Sequence, residues 1–185
     1  MRKPRQLKIG ATYHVTSKIN RGNCEMKAPE IKNMFLQVVK IAKTKYDFII
    51  SNFCIMDNHF HFLITPGKGV SLSKIMQWIK CNFTRRWNKK NNVTGHLWGE
   101  RFWSRIINGI EDFLRIVEYI DNNPVAAGFV KEAKDWEFGG LFHHIMRCID
   151  IVLPPDKTIL ERYTYYGGLV NVGETIKFLR ADTSS

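Results

Sequence analysis

The chain has 185 residues, of which 44% are hydrophobic and 24% are charged. This is the composition of an ordinary globular protein, and it excludes intrinsic disorder and a collagen-like architecture. The longest apolar runs are much shorter than the roughly 18 residues that a membrane span needs, and no apolar segment follows the basic N-terminus. We therefore expect one main domain, no membrane partner and a cytoplasmic location.

Positive charge is concentrated in the first part of the chain. Lysine and arginine outnumber aspartate and glutamate by 28 to 17. Residues 1–110 hold 20 basic and 5 acidic side chains, whereas residues 111–185 hold 8 and 12. Such an excess on an aromatic-rich domain favours a polyanionic partner, most commonly nucleic acid, although a merely soluble basic surface is the alternative. The four cysteines form no Cys-x-x-Cys pair, so their spacing suggests neither a zinc knuckle nor a disulfide framework.

The first half of the chain predicts a strand, a helix and a hairpin. Residues 11–18 are rich in β-branched and aromatic side chains, which are typical of a strand. Apolar residues recur at helical spacing over residues 29–45, after an initiating proline. Residues 48–56 and 59–65 are two strand-like runs, and the short turn Asp57–Asn58 between them predicts an antiparallel hairpin.

The second half predicts two more helices and one more strand. The period of apolar residues indicates a helix that runs to about Asn88, with Ser71 as its N-cap. Residues 97–107 have the character of a strand pair or of one strand bent near a glycine. A third helix is predicted over residues 111–122, and Pro124 is expected to stop it because proline disfavours helical geometry in the preceding residue.

This order of elements predicts the fold class. The order strand, helix, strand, strand, helix, strand, helix suits an α+β fold, a ferredoxin-like antiparallel sheet with helices packed on one face. The pattern weakens after Trp136. We therefore divide the chain into a domain over residues 1–149 and a C-terminal extension, a tail or accessory element, over residues 150–185.

Two histidines open the second strand of the hairpin. Alternate residues of a strand face the same side and lie roughly 6.5–7 Å apart, so His59 and His61 share a face while Phe60 and Phe62 point to the other. Imidazoles placed in this way can converge on one divalent metal. Two ligands do not complete a metal site, however, and two strand histidines without any ligand are the alternative.

The third helix carries a phenol and an amide on one flank. Tyr119 and Asn123 are four residues apart and therefore neighbours on the helix surface. A tyrosine hydroxyl can act as a covalent nucleophile, and an amide oxygen can bind a hard metal ion. In the alternative interpretation, Tyr119 covers the edge of the core and Asn123 caps the helix before Pro124.

Three motifs in this order carry a family resemblance. They are Tyr-His-Val-Thr-Ser at residues 13–17, Met-Asp-Asn-His-Phe-His-Phe-Leu-Ile at residues 56–64 and Tyr-Ile-Asp-Asn-Asn-Pro-Val-Ala-Ala-Gly at residues 119–128. Over about residues 8–142 the chain resembles the single-tyrosine HUH transposases, in particular their REP-associated tyrosine transposase branch. The resemblance implies a ferredoxin-like endonuclease fold, which agrees with the predicted order of elements.

The resemblance also implies roles for the site residues. His59 and His61 correspond to the metal-binding pair, Tyr119 to the nucleophile and Asn123 to the polar third ligand. The implied metal is Mg²⁺, with Mn²⁺ as a substitute. The implied reaction is nicking and strand transfer of single-stranded DNA at hairpin-flanked sites through a 5′-phosphotyrosine intermediate. Relatives act as monomers or homodimers.

The sequence departs from the family pattern at a few positions. Asp57 stands where a proline is frequent, and Gly139–Gly140 stand where two serines are frequent.

Basic side chains suited to the DNA backbone are Lys74, Lys80, Arg85, Arg86, Lys89, Arg101 and Arg105. Tryptophans that could stack on bases, although most of them also suit the core, are Trp78, Trp87, Trp98 and Trp103.

Two other functions fit the same residues. The first is a catalytically inactive DNA or RNA hairpin-binding module of the same fold, which the intact set of four site residues argues against. The second is a metal-dependent phosphodiesterase that uses an activated water molecule. In that case Tyr119 would be a bystander.

Overall fold

The computed structural model describes Lys8, residues 10–148 and residues 150–153. Short 3₁₀ turns lie at Asn20–Gly22 and Ala133–Asp135. The strands and α-helices of the described residues are, in chain order, β1 (Tyr13–Lys18), α1 (Pro29–Lys45), β2 (Phe48–Ile55), β3 (His59–Pro66), α2 (Leu72–Asn91), β4 (Trp103–Ile106), α3 (Gly109–Ala126) and α4 (Gly140–Ile145).

The four strands form one antiparallel sheet in the order β2, β3, β1, β4. The two helical connections, α1 and α2, lead from β1 to β2 and from β3 to β4, which is the ferredoxin-like arrangement. The predicted α+β fold is therefore confirmed. Its register places His61 of β3 opposite both Thr16 of β1 and Cys54 of β2, so these three side chains share one face.

Aromatic residues fill the space between α1, α2 and the other face of the sheet. The ring centroid of Phe35 lies 5.0 Å from that of Phe60 and 4.9 Å from that of Phe83. Phe62 completes this cluster, and all four rings are fully buried. Burying each ring stabilises the fold by about 1.5–3 kcal/mol. The alternation of Phe60 and Phe62 with the histidines thus separates the core from the site.

The third helix packs on the opposite face of the sheet. Asn52 of β2 is fully buried, and its Nδ2 donates a 2.9 Å hydrogen bond to the carboxylate of Asp121 and a longer one to the carbonyl of Val117. The predicted one-face packing therefore holds for α1 and α2, whereas α3 covers the face that carries His61. A helix can lie there because its own apolar stripe is buried against β2.

Pro124 does not end the third helix, contrary to the prediction. It removes one N–H donor, but the last turn is kept because the N–H groups of Ala127 and Gly128 donate to the carbonyls of Asn123 and Val125. A proline this close to a helix end therefore interrupts little of the hydrogen-bond ladder.

Two other segments differ from the prediction. In the predicted strand region 97–107 only Trp103–Ile106 forms a strand, and Trp98 makes a single antiparallel bridge with Ile19, with the Gly99 N–H bonded to the Lys18 carbonyl. The helix Gly140–Ile145 was not predicted, since six residues are too few to show a period.

The packed domain extends past the predicted boundary at residue 149. Ile151 and Val152 are fully buried in the core, and the Leu153 N–H donates to the Ile50 carbonyl. All described residues lie in the unit formed by residues 1–153, and the rest of the predicted tail lies outside the described residues. Among the helices that the structure describes, none has the length and apolarity that crossing a membrane requires.

The buried carboxyl of Asp121 makes the stability of the fold dependent on pH. Burial raises its pKa to about 7, although the hydrogen bond from Asn52 opposes this. An aspartate in an unfolded chain has a pKa of about 3.9, so between about pH 4 and pH 7 the unfolded chain loses a proton that the native protein keeps. Asp121 therefore lowers the free energy of unfolding as the pH rises through this window.

We predict that Asp121→Asn removes this pH dependence while keeping an oxygen that accepts from Asn52. At pH 8 the Tm of the variant should exceed that of the wild type by at least about 2–4 °C, which corresponds to about 1 kcal/mol. At pH 4 the two should unfold at similar temperatures. Thermal unfolding followed by circular dichroism from pH 4 to pH 8 measures the difference, and a difference independent of pH would contradict the prediction.

Candidate active site

The two histidines of β3 lie side by side, as the alternation of a strand requires. The ring centroids of His59 and His61 are 4.9 Å apart and the rings are nearly perpendicular. His61 is buried and His59 is partly exposed. The pair therefore forms one wall of a cleft, in which solvent reaches the ring of His59 but not the ring of His61.

The turn before His59 is fixed by a buried lysine. Nζ of Lys32, on α1, lies 2.6 Å from the Asp57 carboxylate and also donates to the Lys27 carbonyl. The next residue, Asn58, has its side-chain oxygen 2.7 Å from Nδ1 of His59. An ion pair thus stabilises the turn at Asp57, and Nε2 is the His59 nitrogen left to face the cleft.

His61 has different partners on its two ring nitrogens. Its Nδ1 lies 3.0 Å from Nε2 of His14 on the neighbouring strand β1. Its Nε2 is buried and has no hydrogen-bond partner among the described residues. Leaving a buried polar atom unpaired costs free energy, so this nitrogen marks a position suited to a polar ligand. No role was predicted for His14, because the residue that its ring contacts is 47 positions away in the chain.

Tyr119 lies over these imidazoles. Its ring centroid is 5.5 Å from that of His61 and 5.9 Å from that of His14, and the phenol is 51% exposed. The predicted juxtaposition of Tyr119 with the histidine pair is therefore present in the structure. Because Tyr119 lies on a regular helix, the position of its side chain relative to the imidazoles is defined, and its exposure leaves it accessible to a substrate.

Asn123 joins the same cluster from the next turn of α3. Its Nδ2 donates a 2.6 Å hydrogen bond to the Tyr119 carbonyl. Its amide also lies beside His59 and His61, where it partly offsets the lowering of their pKa values. The helix continues to Ala126, so Asn123 does not cap it. The structure therefore brings together all four residues predicted for the site.

Burial keeps the imidazoles of the site uncharged at neutral pH. It lowers the pKa of His61 to about 3, and the nearby imidazoles of His59 and His14, which would repel a charged ring, add to this effect. Burial likewise lowers the pKa of His14 to about 4, and it lowers the pKa of His59. A neutral imidazole has a nitrogen lone pair available, which is the form that binds a metal ion.

A cleft of about 760 Å³ opens in front of the cluster. Its walls include His59, His61 and Tyr119, the end of β1 and the half-exposed ring of Trp103. A second cavity of about 690 Å³ lies between α2 and the segment 95–102. Because the segment Glu100–Arg101 contributes to both, the two cavities adjoin each other.

The predicted DNA-binding residues fall into three groups. Lys80 and Arg85 line the second cavity, and Arg101 lines both cavities. The guanidinium of Arg105 makes two hydrogen bonds, of 2.9 and 2.8 Å, to the Asp112 carboxylate, and it holds the pKa of Asp112 well below its usual range. Those that lie on the exposed surface of α2, outside both cavities, are Lys74, Arg86 and Lys89.

Arg105 thus has a structural role that the sequence did not indicate. It faces the same side of the sheet as His14, its partner in the register of β1 and β4. Its ion pair with Asp112 connects β4 to the first turn of α3. The pair therefore helps to place the helix that carries Tyr119.

Comparison with known proteins agrees with this geometry. Residues 9–123 match the family model described as "Transposase IS200 like". The REP-associated tyrosine transposase of Escherichia coli strain K12 is 26% identical over 139 residues, which cover 75% of this chain and 81% of that protein. A solved structure of a REP-associated tyrosine transposase bound to a REP hairpin is 27% identical, with a TM-score of 0.68, and the match covers 80% of this chain and 86% of that one. The chain therefore belongs to the IS200-like transposase family and resembles its REP-associated tyrosine transposases.

Proposed function

We propose that this transposase nicks and rejoins single-stranded DNA at hairpin-flanked sites through a covalent 5′-phosphotyrosine intermediate on Tyr119. The observation that carries the proposal is the exposed phenol of Tyr119, which lies 5.5 Å, between ring centroids, from a buried imidazole with an unpaired nitrogen. The similar transposase bound to a REP hairpin supports a hairpin as the partner. The cytoplasmic location and the choice between monomer and homodimer stay predictions.

The donor set fits a divalent metal ion. Nε2 of His61 is buried and unpaired, and His59 is neutral. The amide nitrogen of Asn123 donates to the Tyr119 carbonyl, so its oxygen is left to bind a metal ion. No group of three His, Cys, Asp or Glu side chains suited to a metal occurs among the described residues, so the amide is needed as the third ligand. Mg²⁺ is the expected ion and Mn²⁺ its substitute, and when bound it would stabilise negative charge on the scissile phosphate.

The chemical step uses the phenol of Tyr119. Its oxygen forms a bond to the phosphorus as the bond from phosphorus to the 3′ oxygen breaks. The phenol loses its proton to water, and the leaving 3′ oxygen takes one up. One phosphodiester is thus exchanged for another, so the energy needed to join the DNA to a new 3′ end is retained.

The adjoining cavities provide a path for the DNA strand. Lys80, Arg85 and Arg101 would hold backbone phosphates along the second cavity. Trp103 is 50% exposed at the wall of the cleft, where its ring lies against His14. A flexible single strand can reach the recessed imidazoles, and its bases can stack on an exposed indole ring.

We predict that Tyr119→Phe abolishes the covalent intermediate. Wild-type protein incubated with labelled single-stranded hairpin DNA and Mn²⁺ should give a protein–DNA adduct that survives denaturing electrophoresis. The Phe variant should give none, because the attacking oxygen is missing. Tyr46→Phe is the matched control, since Tyr46 packs against Trp78, outside the site, and this variant should form the adduct normally.

The same assay separates the alternatives. Cleavage that survives Tyr119→Phe would show that activated water is the nucleophile. Binding of the hairpin without cleavage by the wild type would show a binding module.

We predict that His61→Ala lowers the affinity for Mn²⁺ at least about tenfold, because it removes one of three proposed ligands. Isothermal titration calorimetry of the DNA-free protein measures the affinity. His143→Ala on α4 lies outside both cavities and should bind Mn²⁺ like the wild type. Equal affinities of His61→Ala and the wild type would exclude the proposed metal site.

We predict that Trp103→Ala weakens binding of single-stranded DNA by about 5-fold to 150-fold, which is the loss of one stacked base. Replacing the stacked nucleotide by an abasic one should weaken wild-type binding equally and leave the Ala variant unaffected. Fluorescence anisotropy with oligonucleotides that carry the abasic position in turn measures both effects. Phe129→Ala, an exposed aromatic that packs on Trp136, is the control. Unchanged affinity of Trp103→Ala for every oligonucleotide would rule out stacking.

A further inference from the structure

We propose that His14 is a positioning residue that fixes the tautomer of His61, with the proton on Nδ1 and the lone pair of Nε2 facing the cleft. The inference rests on the proposed metal site. His14 is not itself a proposed metal ligand, but its ring contacts the proposed ligand His61 directly.

The contact between the two rings requires one shared proton. Nε2 of His14 and Nδ1 of His61 are 3.0 Å apart, and the side chains are only 5% and 4% exposed. Two lone pairs or two N–H groups at this distance would repel each other. One ring therefore donates and the other accepts, and water has little access to replace either partner.

The surroundings of His61 decide which ring donates. If His14 donated, the His61 proton would sit on Nε2, which lies beside the Asn123 amide but makes no hydrogen bond in the structure, and this nitrogen would have no lone pair for a cation. If His61 donates from Nδ1, its proton is paired and Nε2 is left as an acceptor. The second arrangement is the one that serves a metal ligand.

The ring of His14 is itself held in place. The indole of Trp103 and the phenol of Tyr119 contact it edge-on, with centroid distances of 5.6 and 5.9 Å. His14 is also anchored in β1, the strand between β3 and β4. It therefore cannot swing away from His61 without displacing the proposed nucleophile.

Substitution of His14 by Gln and by Leu tests the inference in the full chain. Gln offers a side-chain oxygen that can accept from Nδ1 of His61, whereas Leu offers no acceptor. Two-bond ¹H–¹⁵N NMR spectra of the metal-free protein report the tautomer of His61, and calorimetry with Mn²⁺ reports the affinity. His143→Leu is the control for loss of a histidine elsewhere.

The wild type should show the Nδ1–H tautomer of His61. His14→Leu should lose it and bind Mn²⁺ about 10-fold to 100-fold more weakly, as expected for a residue behind a metal ligand. His14→Gln should keep the tautomer and most of the affinity. If the Leu variant does not fold, the tautomer of His61 in the wild type still tests the inference, and so does the comparison of the wild type with the Gln variant.

Two results would overturn the inference: an Nε2–H tautomer of His61 in the wild type, or an unchanged tautomer and affinity in His14→Leu. Failure of the proposed function gives a different result. If the wild type shows the Nδ1–H tautomer, dependent on His14, and yet binds no Mn²⁺, the metal site is wrong and the positioning role of His14 stands.

Discussion

The position of the site depends on one buried amide. Asn52 accepts a hydrogen bond from the N–H of Phe53 and donates to Val117 and Asp121 of α3. Tyr119 lies between these two helical residues in sequence, so its height above the sheet follows from the contact. Because Asn52 sits at an irregularity of β2, beside a shift in the register with β3, the strand presents its side chain toward the helix. Breaking this contact would separate the phenol from the imidazoles.

The sequence predicted which side chains share a face of a strand or helix, but it did not predict which elements pack against each other. Period-2 alternation placed His59 and His61 together, and a four-residue spacing placed Tyr119 beside Asn123, because both periods are local properties of the backbone. Which element covers which face is decided by contacts distant in sequence, so the side taken by α3 could not be read from its apolar stripe. The pairing of Asn52 with Asp121 spans 69 residues and leaves no local signal.

Charge and chemistry are separated in this protein. The imidazoles at the bottom of the cleft are neutral because they are buried, although the chain has a net charge of +11. Lysine and arginine lie instead around the adjoining cavity and along α2, where they can attract phosphates over a distance of about one Debye length. The nitrogen lone pairs are thus protected from protonation while the approach remains attractive to a polyanion. Arg105 and Lys32 are exceptions, since their ion pairs with Asp112 and Asp57 make them part of the scaffold.

The tight packing of Gly140 ties together two positions that are 88 residues apart. A Cβ atom there would overlap the side-chain oxygen of Asn52, whose amide nitrogen holds α3 through Val117 and Asp121. A lineage that gains serine at this position therefore has to acquire a compensating substitution at Asn52 or a new path for the segment before α4. Glycine here and asparagine on β2 are expected to be inherited as a pair, and homologues with serine should hold the helix equivalent to α3 by a different contact.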